Sequence, residues 1–129
     1  MPCKNIAAEL VDKLSPAAEI IGACNTFVND DGVITGHITD GIGFVNNLAL
    51  NGFDVKGKKA VILGAGGAAT AIQVQFALDG AKEVHIFNIK DEFYARAEGT
   101  KEKLAQKCPD CLVTVDDLDD KEKLAEAVK

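Results

Sequence analysis

Val61-Ile62-Leu63-Gly64-Ala65-Gly66-Gly67-Ala68-Ala69-Thr70-Ala71 runs an apolar strand into a glycine turn and straight into a helix. Each residue type there has a backbone reason. Gly64 permits the tight turn, and Gly66 lets the main chain come close to phosphate oxygens. Ala69 is small enough for the helix to pack on the strand. The first turn of the helix then offers unpaired N–H groups and a partial positive charge to an anion. The spacing reads G-x-G-x-x-A in a strand–turn–helix context, which is the form that holds a dinucleotide pyrophosphate. Taken alone the glycines also fit a turn that is tight for packing only.

Downstream, the pattern repeats strand and helix. Residues 60–63 form a buried strand. A nearly all-apolar helix over 67–79 stops at Gly80. Residues 83–88 make a second strand, and 91–107 a polar-faced helix carrying Phe93, Tyr94, Ala97 and Leu104. Residues 112–115 make a third strand and 121–128 a last helix. Alternation of this kind predicts an α/β fold with a parallel βαβαβ unit and right-handed crossovers. That is one half of a Rossmann-type, doubly wound sheet, and it assigns residues 51–129 to the first half of a nucleotide-binding domain.

Upstream, Ala7, Leu10, Val11 and Leu14 keep helical spacing, so 4–14 reads as an amphipathic helix. Ser15-Pro16 stops it and starts a short helix over 16–21. Two β-prone runs, 24–28 and 33–36, flank Asn29-Asp30-Asp31-Gly32, a hairpin signal. Thr39-Asp40-Gly41 then precedes a helix over 41–50, which Asn51-Gly52 ends.

The bulk numbers bound the rest. The chain has 129 residues, 47% of them hydrophobic, and a net charge of −6. The acidic balance argues against nucleic acid and against an anionic membrane surface as partners. No apolar run approaches the roughly 20 residues of a spanning helix, and no secretory h-region is present. Cys3, Cys24, Cys108 and Cys111 form no dense framework and fit reduced thiols in the cytoplasm. Cys108-Pro109-Asp110-Cys111 is a C-x-x-C, but His37 and His85 lie far from it, and it sits between a helix and the following strand. Neither a metal site nor a thioredoxin-like site is expected. His85 alternates with apolar strand residues and reads as a sheet-face residue.

Four segments in order resemble the shikimate dehydrogenase family. They are Gly22-Ala23-Cys24-Asn25-Thr26, Thr39-Asp40-Gly41, Gly64-Ala65-Gly66-Gly67-Ala68, and Met1-Pro2-Cys3-Lys4, which is similar to the family's T-x-P-x-K. Phe87-Asn88-Ile89-Lys90-Asp91-Glu92-Phe93 is similar to N-R-R-D-E-F of the quinate/shikimate dehydrogenase branch. The resemblance implies an oxidoreductase of aromatic amino-acid biosynthesis or quinate use. Its substrate would be shikimate or quinate and its cofactor NAD or NADP. It further implies that residues 1–50 are a remnant of the substrate-binding domain, and that the chain is an internal fragment of a longer enzyme, inactive alone; the strand edge such a fragment leaves open and the nearly all-apolar helix 67–79 would make it prone to self-association. Two positions depart from the pattern. Ile38 stands where the family usually has Asn, and Ile89 stands where an arginine often follows Asn88.

The resemblance implies Lys4 and Asp40 as catalytic residues and Asn25 and Thr39 as substrate contacts. Read from the residues alone, Lys4 is a solvated lysine opening a helix, Asp40 is a helix N-cap, Asn25 bonds its own backbone, and Thr39 ends a strand. Gly64, Ala65, Gly66, Gly67 and Ala68, with Asn88 and Asp91, are the expected cofactor contacts. A carboxylate at Asp91 can accept ribose hydroxyls and repel a 2′-phosphate, which favours NAD; it also suits an N-cap. Lys90 pulls the other way, toward a phosphate. Two alternatives stay open: another small-substrate dehydrogenase such as a methylene-tetrahydrofolate dehydrogenase, and a nucleotide-binding or self-associating module without turnover.

Overall fold

The computed structural model describes residues 2–129, so Met1 of the Met1–Lys4 segment lies outside the described residues. The first helix, α1 (Lys4–Leu10), is shorter than its periodicity predicts. Val11 is already extended, and β1 (Lys13–Leu14) follows. The cause is a distant partner. Asp12 N–H donates to Ile34 O at 3.0 Å, and the Asp12 carboxylate accepts Ile34 N–H at 2.7 Å. These bonds pull the chain out of its helix and onto a sheet edge, so Leu14 lies in a strand.

Helix α2 (Pro16–Ile21) starts with Ser15 as its cap and ends at Gly22 in the left-handed region, as the Ser-Pro and Gly signals predict. The hairpin follows as β2 (Thr26–Asp30) and β3 (Val33–His37). Asp31 and Gly32 both have positive φ, the backbone that a two-residue hairpin loop needs. β1 pairs parallel to β3 and β2 antiparallel, giving a small sheet in the order β1-β3-β2. Helix α3 (Asp40–Leu50) closes this part.

The second sheet is parallel throughout, in the order β4-β5-β6: β4 (Lys59–Leu63), β5 (Glu83–Asn88) and β6 (Leu112–Asp117). Helix α4 (Gly67–Leu78) connects the first two strands and α5 (Glu92–Lys107) the next two, with α6 (Lys121–Ala127) last. The expected α/β reading with a parallel βαβαβ unit holds. Val84, Ile86, Val113 and Val115 turn one sheet face into a core with Val74, Ala77, Ala97 and Leu104. Glu83, His85, Thr114 and Asp116 alternate with them on the other face.

An apolar helix needs cover on several sides, and α4 has it. It packs against α2, α3, α5, β4 and β5. Gly41 sets the approach of α3. A Cβ there would collide with the Ala71 carbonyl and lie 2.9 Å from Gln75 Cβ. One continuous core therefore runs from Ala17, Ala18 and Ile20 through Val74 to Val113. Ala7 and Ala8 of α1 and Val45 and Leu48 of α3 pack against it, and Val74 of α4 lies within it.

Candidate functional site

Lys4 opens α1 and Asp40 opens α3, and the two side chains meet. Lys4 Nζ donates to Asp40 Oδ2 at 2.7 Å. The side chains keep 28% and 41% of their surface, so the pair is reachable from solvent. Asp40 does not serve as an N-cap. Thr39 holds the cap position with no side-chain cap bond, while the Asp40 carboxylate faces the ammonium.

The segment that follows α2 is tied to α1. Cys24 N–H donates to Lys4 O at 3.0 Å, and Asn5 Nδ2 donates to Gly22 O at 3.1 Å. Asn25 Oδ1 accepts Thr39 N–H and Thr39 Oγ1–H, each at 3.1 Å, and Thr26 Oγ1–H at 3.0 Å. Asn25 therefore braces the residue before Asp40 and does not fold back on its own backbone. Its Nδ2 has no partner among the described residues. Thr39 is committed to Asn25 through both its N–H and its hydroxyl.

The glycine turn is built as its residue types demand. Gly64 has φ +106°, and its N–H extends the ladder to Phe87 O at 2.7 Å. Gln73 Nε2 donates to Gly64 O at 3.0 Å, and Ala65 N–H donates to Asn88 Oδ1 at 3.1 Å. Thr70 Oγ1 donates to Gly66 O at 3.0 Å. The amides of Gly66, Gly67, Ala68 and Ala69 find no acceptor among the described residues. Four free N–H groups at the positive end of α4 fit an anion such as a pyrophosphate.

These two features share one cleft of about 630 Å³, lined by Lys4, Asp40, Gly67 and Ala68 among others. Arg96 and Lys103 of α5 line the same cleft. Neither was singled out from the sequence, because each sits on the polar face of a helix and carries no motif. Asn88 and Asp91 lie at the end of β5, behind the turn. Asp91 caps α5: its Oδ1 accepts Phe93 N–H at 2.9 Å and Tyr94 N–H at 3.2 Å. Lys90 lies 3.6 Å from the Asp117 carboxylate.

The remaining reactive side chains stand apart from the cleft. His85 lies on the sheet face, Nε2 against Glu83 Oε2 and Nδ1 against Thr114 Oγ1, each at 2.9 Å. That bond holds the Glu83 carboxyl below its usual range. Burial pushes the thiols of Cys24, Cys108 and Cys111 up, which keeps them in the protonated, weakly nucleophilic form. Among the described residues no group of three or more His, Cys, Asp or Glu is arranged to hold a metal.

A parallel sheet with a glycine turn leading into an anion-accepting helix defines an α/β protein of Rossmann type. Over nearly all of its length the chain is similar to shikimate dehydrogenases. No family model matches it, and the similarity is to individual relatives. Over 128 residues it is 56% identical to the shikimate dehydrogenase (NADP(+)) of Listeria monocytogenes serotype 4b (strain F2365). It is 49% identical to the quinate/shikimate dehydrogenase of Escherichia coli O139:H28 (strain E24377A / ETEC). A crystal structure of shikimate 5-dehydrogenase from Listeria monocytogenes in complex with shikimate and NAD superposes with a TM-score of 0.95 at 56% identity. In each case 99% of this chain is matched but only 44% of the relative, so the chain spans less than half their length.

Proposed function

We propose that the protein containing this chain oxidises the ring hydroxyl of shikimate or quinate to a ketone with a nicotinamide dinucleotide. The observation that carries the reading is the shared cleft: a Lys–Asp ion pair at one part of its wall, and Gly67 and Ala68 with their free amides at another. Residues 1–50 would supply the substrate side and residues 51–129 the first half of the cofactor domain.

Lys4 Nζ receives the substrate hydroxyl and Asp40 holds the ammonium in place. The hydroxyl proton leaves into this pair, and the lysine charge steadies the alkoxide that develops. Asn25, through its free Nδ2, and Thr39 orient the ring. Gly66, Gly67 and Ala68 present free amides to the pyrophosphate, with Gly64 and Ala65 shaping the turn, Asp91 on the adenosine side and Asn88 bracing the two loops. When bound, the nicotinamide supplies the acceptor for the hydride from the ring carbon. NAD is favoured over NADP, because Asp91 Oδ2 has no partner among the described residues and is free to accept ribose hydroxyls. The similar proteins include one named for NADP(+) and one crystallised with NAD.

The chain by itself should neither turn over substrate nor stay monomeric. β4 lies at a sheet edge, beside an apolar groove of about 400 Å³ lined by Phe44, Leu48, Phe53, Ile62, Ile72 and Phe76. A second copy would cover both the edge and the groove. Four free cysteines fit a cytoplasmic setting, and the acidic charge fits a protein without nucleic-acid partners. No helix among the described residues is long and apolar enough to cross a membrane.

The test is steady-state oxidation by the full-length protein, followed by nicotinamide absorbance, with shikimate and quinate against NAD and NADP. Turnover of at least one of the two acids supports the reading. No turnover of either, with either cofactor, removes it.

A further inference from the structure

Asn88 ends β5 with 8% of its surface exposed, and its carboxamide is engaged on three sides. Nδ2 donates to Ile89 O at 2.7 Å and to Asp91 Oδ1 at 2.8 Å, while Oδ1 accepts Ala65 N–H at 3.1 Å. An asparagine has two N–H donors, and both are used within the chain. No donor remains for a ligand.

The partners lie on two different loops. Ala65 belongs to the turn between β4 and α4, and Asp91 to the connection between β5 and α5. Asp91 Oδ1 accepts three N–H groups: Asn88 Nδ2 and the two backbone amides that it caps. Those bonds fix the plane of the carboxylate and leave Oδ2 as its outward oxygen. The bond to Ala65 is buried and those to Ile89 and Asp91 are part-buried, so displacement at one end of the strut is felt at the other.

The geometry points to Asn88 as a positioning residue for cofactor choice, one that ties the pyrophosphate turn to the ribose-reading carboxylate and makes no contact with the cofactor itself. The inference deepens the cofactor reading given above and rests on it. Asn88→Asp separates the two ends of the strut. One carboxylate oxygen can still accept Ala65 N–H. The other places lone pairs and charge against Ile89 O and Asp91 Oδ1, which drives Asp91 from its orientation. The variant should therefore lose preference for NAD through Asp91 alone.

The experiment is calorimetric titration of the full-length protein with NAD and with NADP, for the wild type, Asn88→Asp, Asp91→Ala and the double variant. Thermal unfolding of each reports folding. Asn88→Asp is expected to lower the NAD-to-NADP affinity ratio about tenfold, the scale of one charge-assisted hydrogen bond. In the Asp91→Ala background the same substitution is expected to change the ratio no further. An unchanged ratio in Asn88→Asp, or additive shifts in the double variant, overturns the inference while leaving the cofactor site standing. A wild type that binds neither dinucleotide overturns the cofactor reading and this inference with it. Should Asn88→Asp fail to fold, amide exchange in Asp91→Ala decides: faster exchange at Ala65 supports the strut, and unchanged protection removes it.

Discussion

Lys4 Nζ and Asp40 Oδ2 lie 2.7 Å apart although 36 positions separate them in the chain. The contact is set by main-chain fixtures on both sides. Lys4 O accepts Cys24 N–H, and Asp40 is followed by Gly41, whose missing side chain lets α3 rest on the Ala71 carbonyl of α4. The carboxylate is thus placed by helix packing one residue away from it.

Gly41→Ala should break that arrangement. A methyl group has no room between the Ala71 carbonyl and Gln75, so the helices must part. Overpacking of this kind costs about 1–3 kcal/mol. Chemical denaturation of the chain should show a lowered midpoint at unchanged slope, and an unshifted midpoint would mean that α3 moves freely on α4.

Asp91→Ala should move cofactor preference from NAD toward NADP in the full-length protein, because a ribose acceptor and a repulsive charge disappear together. Loss of the α5 cap should also cost about 1 kcal/mol of stability. The ratio of kcat/KM for the two cofactors separates these effects. A stability loss with no change in that ratio would reduce Asp91 to a helix cap.

The pair of Glu83 and His85 should give the chain an acid limb in its stability. The folded state holds the Glu83 carboxyl below its usual range, chiefly through the bond from His85. Its contribution is present above the unfolded carboxyl pKa and is lost as pH falls through the lower, folded value. Denaturation midpoints of the wild type and Glu83→Gln should differ near neutrality and converge below about pH 4. A constant difference across that range would contradict the assignment.

The free edge of β4 should make the isolated chain self-associate. Gly64 N–H points to β5, so by alternation the Val61 N–H points away from it. Val61→Pro removes an outward donor without touching the β4–β5 ladder, and should lower the associated mass seen by light scattering. A wild-type chain that is monomeric at all concentrations would contradict the edge argument.

The sequence disclosed what depends on backbone alone. The glycine turn, the Asp31-Gly32 hairpin, the Ser15 cap and the alternation of β4, α4, β5, α5 and β6 all follow from local residue types. It misjudged the segment after Leu10, where Val11 and Leu14 keep helical phase but Asp12 answers to Ile34 across the sheet. The same limit hid the site's supports. Asp40 reads as a cap until Lys4 is beside it, and Asn25 reads as a local turn former until Thr39 is. The Gly41 contact, the Gln73 bond to Gly64 O and the Asn88 strut exist only once helices and strands are stacked. Arg96 and Lys103 carry no local pattern that marks them as cleft residues.

The most direct test of the Lys4–Asp40 assignment is kcat for shikimate oxidation by the full-length protein carrying Lys4→Ala, with Asp40→Asn in parallel. Removal of a positioned proton-transfer group should lower kcat by roughly 10² or more in each variant. Rates equal to wild type in both, with the fold intact, would show that this pair takes no part in the chemistry.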